Sequence, residues 1–335
     1  MDCEENEKIK DETRELEKKL KLKGKLSWDR MEEREKEETF RFAEGYKAFL
    51  NSAKTEREAV QEIAGAAKEA GFQEGAQGGG GKKFFYLNKD KAIALAMLGS
   101  APIAEGVRIV VSHIDSPRID LKQNPLYEEA DMALLHTHYY GGIKKYQWVT
   151  LPLSLHGLVV KADGSKLSIQ IGEDADDPVF VINDLLPHLS GKTQDQKKLS
   201  EAIEGEKLTV LAGSLPYPDP EAKERVKLRV MELLNQKYGL VEEDFVSAEL
   251  ELVPAIKARD VGFDRSLVGS YGQDDRASAY TSLRAILSLE EAPRTVIALF
   301  VDKEEIGSEG NTGAKSLFLE SVTRNLIKRS GFTVT

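Results

Sequence analysis

Two short β-branched apolar runs, GVRIVVSHI at 106–114 and TVIALFVD at 295–302, bracket a long stretch of different character. A β-branched apolar run of this length reads as a buried strand of an α/β domain. Between them KLSIQIG at 166–172 alternates Leu167, Ile169 and Ile171 with polar residues, and VSAELELV at 246–253 does the same with Val246, Ala248, Leu250 and Leu252. Alternation with period 2 marks half-exposed antiparallel strands, and ADGS at 162–165 supplies a turn between two of them. The chain therefore reads as an α/β sheet interrupted by an inserted β-rich domain. Its 335 residues, 41% hydrophobic, suffice for two separate cores.

The flanking segments fit that reading. Residues 4–37 are dominated by Glu, Lys and Arg and predict an exposed helix. From Glu38 to Ala70 the spacing of Phe40, Phe42, Ala43, Tyr46, Phe49 and Leu50 predicts packing helices, the second capped by Thr55 in TEREAV. GAQGGGG at 75–81 predicts a flexible loop before a strand at Phe84–Leu87. It does not cradle phosphate, because no GxxxxGK[ST] pattern is present and no helix follows. PEAKERVKLRVMELLNQKYG predicts a helix with a stripe of Val226, Leu228, Val230, Leu233 and Leu234, ended by Gly239.

Composition narrows the function. The net charge of −10 offers no basic field for nucleic acid, and no apolar run reaches the ~20 residues needed to span a membrane. The single Cys3 and the charged N-terminal residues fit a reducing cytoplasmic setting.

Three constellations carry chemistry, each at a strand end or helix start, where α/β proteins build sites. In an extended His113-Ile114-Asp115 the two polar side chains share a face, so the carboxylate can orient an imidazole whose other nitrogen faces a metal; a histidine simply satisfied at a strand end is the competing reading. Asp274 and Asp275 precede a helix with Ala279, Leu283 and Ile286 on one stripe. They suit either a helix cap or, because adjacent carboxylates repel unless a cation relieves them, a metal bridge. In FVDKEEIGSEGNTGAKS an apolar strand runs into Asp302, Glu304 and Glu305, and one glutamate can ligate metal while its neighbour takes a proton from water. Together the three point to a dimetal hydrolase.

VSHIDSPRIDLK, THYYGGIKKYQW, VFVINDLLPHL, GSYGQDDRASAYTSLRAI and DKEEIGSEGNTGAKS resemble, in order and interval, the aspartyl aminopeptidase family of dizinc exopeptidases. The resemblance implies a zinc-exopeptidase-like catalytic domain of α/β class with an inserted β-rich dimerisation domain. On this chain it gives a catalytic part at 1–120, including a charged helical extension at 1–37, an insert at 121–254, and a resumed catalytic part at 255–335. It further implies two divalent ions, zinc with cobalt or manganese as alternatives. His113 and Glu305 become metal ligands, Asp274 the bridging carboxylate, Asp115 the orienting partner of His113, and Glu304 the general base. His188 becomes a catalytic histidine reaching a neighbouring subunit's site. The activity implied is release of an N-terminal, acidic residue from peptides by a metal-bridged hydroxide, in a homo-oligomer joined through the insert.

Family members continue past the helix around SLFLESVTRNLIKRSG, where they supply one more acidic ligand and a final histidine. None of the five histidines here, His113, His136, His138, His156 and His188, follows Glu305. The sequence thus carries the expectation of a C-terminally shortened member of an aminopeptidase family, with its activity in the absence of those ligands left open. Two further readings are a non-catalytic oligomerising subunit and a dimetal deacylase.

Overall fold

The computed structural model describes residues 3–22, 24–75 and 80–330; the side chains of residues 3–6, Cys3 among them, residues 76–79 of the glycine-rich loop and Thr335 lie outside that description. Its two compact units are Met1–Gly45 and Tyr46–Thr335. In the first, helix α1 (Cys3–Leu20) exposes every described side chain and relies on local pairs such as Lys18 with Glu15 at 2.6 Å. Such pairs are worth only about 0.3–0.5 kcal/mol each. Helix α2 (Glu33–Ser52) begins in this unit. There Phe40 stacks on Trp28 at 5.8 Å, and both Phe40 and Phe42 stay largely exposed. The core packing expected of them falls instead to Phe49 and Leu50, in the second unit.

The second unit opens with the end of α2 and with α3 (Glu56–Glu69). The predicted cap is present: Thr55 Oγ1 accepts from Glu58 N while the Glu58 carboxylate accepts from Thr55 N. Strands β1 (Gln73–Glu74), β2 (Lys83–Asn88), β3 (Ala92–Met97) and β4 (Arg108–His113) follow. A run of strands then builds a second sheet: β5 (Arg118–Glu129), β6 (Met132–Tyr140), β7 (Leu153–Val160), β8 (Lys166–Ile171), β9 (Val181–Ile182), β10 (Val210–Gly213) and β11 (Glu249–Pro254). Within it lie helices α4 (Pro187–Ser190), α5 (Leu199–Ala202) and α6 (Arg225–Tyr238). After the hairpin β12 (Arg259–Val261) and β13 (Leu267–Gly269) come α7 (Gln273–Leu287), β14 (Val296–Val301) and α8 (Phe318–Arg329).

Strand β14 returns to the first sheet, whose order is β1-β2-β3-β14-β4, antiparallel to β3 and parallel to β4. The second sheet, of order β8-β7-β11-β5-β6-β10-β9, is antiparallel in every pairing. The alternating segments at 166–172 and 246–253 thus pack a core of their own, with Ile169, Ile171, Leu250 and Leu252 inside. The apolar run at 295–302 is buried as expected, with Phe300 fully enclosed. The run at 106–114 is not. Ile109, Val110 and Val111 are 43%, 40% and 52% exposed, because β4 pairs only with β14 and forms the sheet's edge among the described residues. The stripe of α6 is also narrower than predicted, since Val226 is buried while Leu228 and Leu233 face outward. Gly239 ends that helix in the left-handed region, φ +63°.

Buried charges join the second sheet to the start of α3. His156 of β7 meets Glu58 of α3 through Nδ1 at 2.7 Å, and Glu173 through Nε2 at 3.1 Å. Glu173 also accepts from Ser154 Oγ at 2.7 Å and Lys54 Nζ at 2.6 Å. Burial alone would depress the imidazole, but the bonds to Glu173 and Glu58 outweigh it and push the His156 pKa up to about 9. A group whose folded pKa is raised adds stability that is complete below its unfolded value near 6.5 and is lost as pH climbs through the folded one. His156→Gln should therefore cost about 3 kcal/mol at pH 6 and little at pH 10. Urea unfolding of both proteins across that range measures it, and a cost independent of pH would contradict the protonated junction.

Candidate metal centre

The parallel pairing of β14 with β4 sets Val301 opposite His113, so the histidine and the 302–305 turn emerge at one sheet edge. Helix α7 packs against β4 and brings Asp274 and Asp275 to the same place. Both depart from helical dihedrals, and the Asp274-Asp275 peptide is cis. Neither side chain caps the helix. The preceding Gly272, at φ +75°, leaves room for the guanidinium of Arg276; a Cβ there would lie 1.9 Å from Arg276 Nη1.

The His113 ring sits among acids. Nδ1 faces Asp115 Oδ1 at 3.2 Å and the Asp115 carbonyl at 3.0 Å. Nε2 faces Asp274 Oδ1 at 3.2 Å and Glu304 Oε2 at 3.7 Å. The backbone N–H of His113 donates to Asp275 Oδ2 at 3.4 Å. Burial lowers the ring's affinity for a proton, but Asp115, Asp275 and Glu304 reverse this and lift its pKa to about 9. Burial and then the charge of Asp115 raise the Glu305 carboxyl.

Asp115 has a wider role than its spacing from His113 foretold. Wholly buried, it accepts from Tyr140 Oη at 2.7 Å and from the backbone N–H groups of Glu304 and Glu305, each at 3.2 Å. Burial pushes its carboxyl up, yet the hydrogen bonds to His113, Tyr140 and Glu305 N hold it below the usual range. Asp302 braces the same turn, accepting from Thr312 Oγ1 at 2.7 Å and Lys303 N at 2.7 Å. Tyr140, Ser116 and Arg276 are the site's unforeseen members: Ser116 Oγ donates to Asp274 O at 3.1 Å, and buried Arg276 donates to the Lys54 and Ile114 carbonyls at 2.8 and 3.2 Å. Only the position of Tyr140 beside a Gly-Gly pair hinted at this from sequence.

Of the remaining histidines, His136, His156 and His188 lie elsewhere. His188 is exposed on the one-turn helix α4. His136 stacks on Tyr127 at 3.9 Å. His138 shares with Glu305 and Asp120 the lining of a cavity of about 410 Å³.

The donors fit zinc in kind, since one imidazole nitrogen with carboxylate oxygens is a usual zinc set. They are incomplete in number. Among the described residues no three His, Cys, Asp or Glu side chains are gathered closely enough to hold one ion. The same residues include no helix long and apolar enough to cross a membrane.

A mixed α/β sheet presenting an imidazole and several carboxylates at one edge, with a separate antiparallel sheet inserted, fits a metal-dependent hydrolase of two-sheet architecture. The family model for aminopeptidase I zinc metalloproteases, M18, matches residues 49–333, and the chain belongs to that family. A probable M18 family aminopeptidase 1 of Clostridium acetobutylicum is 48% identical over 314 residues, covering 92% of this chain and 67% of that protein. The crystal structure of the Thermotoga maritima M18 aminopeptidase superposes with a TM-score of 0.88 at 46% identity, covering 93% of this chain and 68% of that one. The aspartyl aminopeptidase of Caenorhabditis elegans is 29% identical over 305 residues, 83% of this chain and 64% of that protein. The zinc hydrolase reading stands on these findings, which do not favour a non-catalytic subunit or a deacylase.

Proposed function

We propose that the chain releases N-terminal residues from peptides at the β4–β14 edge, with His113 and Asp274 holding zinc, Glu305 ligating a second ion and Glu304 acting as general base. The supporting observation is the approach of His113 Nε2 to Asp274 and Glu304, at 3.2 and 3.7 Å, from three separate elements. Zinc, when bound, supplies a Lewis acid that polarises the scissile carbonyl and brings the acidity of water toward neutrality. Glu304, its backbone tied to Asp115 and its side chain over half exposed, takes a proton from the attacking water and returns it to the departing amine. Asp115 keeps Nδ1 of His113 occupied so that Nε2 faces outward.

On the same reading His188 serves the site of a neighbouring copy. The segment 121–254, set between catalytic parts at 1–120 and 255–335, joins copies through its exposed Leu185, Leu186 and Leu189. We place the protein in the cytoplasm, with acidic N-terminal residues as its preferred substrates.

Zinc content measured by elemental analysis after dialysis, together with hydrolysis of aminoacyl anilides, tests the assignment. His113→Ala should abolish both. Asp115→Asn should lower zinc affinity roughly 10–100-fold while the fold survives. Full zinc retention in His113→Ala would remove the site.

A further inference from the structure

The turn that carries Glu304 and Glu305 is gripped at two places. From one side Asp115 takes their backbone N–H groups. From the other, Asp302 and Thr312 close the loop between them with a pair of bonds: Thr312 Oγ1 donates to Asp302 Oδ2 at 2.7 Å, and Asp302 N donates to the Thr312 carbonyl at 3.3 Å. Both residues are buried, Asp302 wholly so. The other carboxylate oxygen of Asp302 accepts from Lys303 N at 2.7 Å, and Lys303 is held at φ +70°, so the chain reverses between this clasp and Glu304. The Glu304 side chain is 55% exposed, so its placement follows that of its backbone.

Thr312 is itself fixed by its neighbours. The preceding Asn311 carbonyl accepts from Asn88 Nδ2 at 2.8 Å, which ties the loop to β2. The following Gly313 lies against the Ser308 carbonyl, and a Cβ there would come within 2.4 Å of that oxygen. Ser308 N in turn donates to the Lys303 carbonyl at 2.7 Å. The hydroxyl therefore meets Asp302 from a place set by the whole loop. A buried carboxylate that loses one of its donors moves toward another or draws in water, and either shift displaces the start of the turn. We propose that Thr312 is a positioning residue for the reaction: through Asp302 it sets where the turn begins, and so where the Glu304 and Glu305 carboxylates stand relative to His113. It acts through Asp302 and not by contact with the substrate. This rests on the peptidase reading above.

Thr312→Val removes the hydroxyl donor and little else. In the full chain supplied with zinc it should lower kcat for aminoacyl anilides roughly 10–100-fold with KM near the parent's, because a displaced general base costs rate and not binding. Thr312→Ala should repeat the loss, and Thr312→Ser, which keeps the hydroxyl, should restore the rate. Amide hydrogen exchange gives a second readout that needs no turnover. The Glu304 and Glu305 N–H groups should exchange about tenfold or more faster in Thr312→Val than in the parent, and at the parent's rate in Thr312→Ser. A role confined to stability would shift the melting temperature and leave kcat and those two amides unmoved. Unchanged exchange, an unchanged kcat against an active parent, or a loss that Thr312→Ser shares overturns the positioning role alone. A parent without hydrolysis brings down the peptidase reading and the role in catalysis with it, while the exchange rates still decide whether Thr312 holds the turn.

Discussion

Glu304→Gln is expected to lower the rate of aminoacyl anilide hydrolysis by about 10²–10⁴-fold, the usual contribution of a positioned general base, while leaving zinc content unchanged. The amide keeps the size and hydrogen-bonding reach of the carboxylate but cannot accept a proton at neutral pH. Glu304 is 55% exposed and is held by its backbone, through Asp115, rather than by its side chain. Its replacement should therefore leave the melting temperature almost unmoved. Single-turnover rates and elemental analysis on the same preparation separate the two effects. A rate within a few-fold of the parent would mean that another group takes the proton.

The largest effect on stability is expected at Arg118. Its guanidinium lies where the second sheet meets α3, 3.3 Å from Glu56, 3.3 Å from Glu251 and 2.8 Å from Asp120, and 3.9 Å from the centre of the Tyr140 ring. Glu56 is also paired with Lys91 at 2.9 Å. Burial works against the charge on Glu56, yet Arg118 and Lys91 hold its carboxyl well below the usual range, while burial pushes Glu251 up. Removing the guanidinium deprives the buried Glu56 carboxylate of one of its two cations, so Arg118→Ala should cost about 3–5 kcal/mol in urea unfolding. Because Tyr140 stacks on Arg118 and donates to Asp115, zinc affinity should fall as well. Adding Glu56→Gln should cost less than the sum of the two single changes, since the second removes the group stranded by the first. A cost below ~1 kcal/mol would show that water reaches the joint and screens it.

Much of the fold was legible because local patterns report local burial. Period-2 alternation at 166–172 and 246–253 marked strands with one wet face, and TEREAV marked a capped helix; both depend on neighbours only a few positions away. Misreadings arose where burial is decided by distant residues. Ile109, Val110 and Val111 read as interior, but β4 lies at the edge of its sheet. Phe40 and Phe42 carry helical spacing yet stay largely exposed. His113, Asp115, Asp274 and the 302–305 turn, singled out from residue type and position, lie together in the structure. Tyr140, Ser116 and Arg276 were not singled out, since their partners lie 25 to 222 positions away.

The amino-acid order by itself pointed to the class of fold and to the interruption of one sheet by another, and it singled out the side chains that meet at the β4–β14 edge, because periodicity and residue type need no partner to be read. Only the tertiary structure decided that Asp115 would grip the backbone of Glu304 and Glu305 and that β4 would be left open at the sheet's edge among the described residues. Those outcomes depend on strand register and on packing between segments far apart in the chain, and a pairing energy between such segments leaves no trace in either one alone.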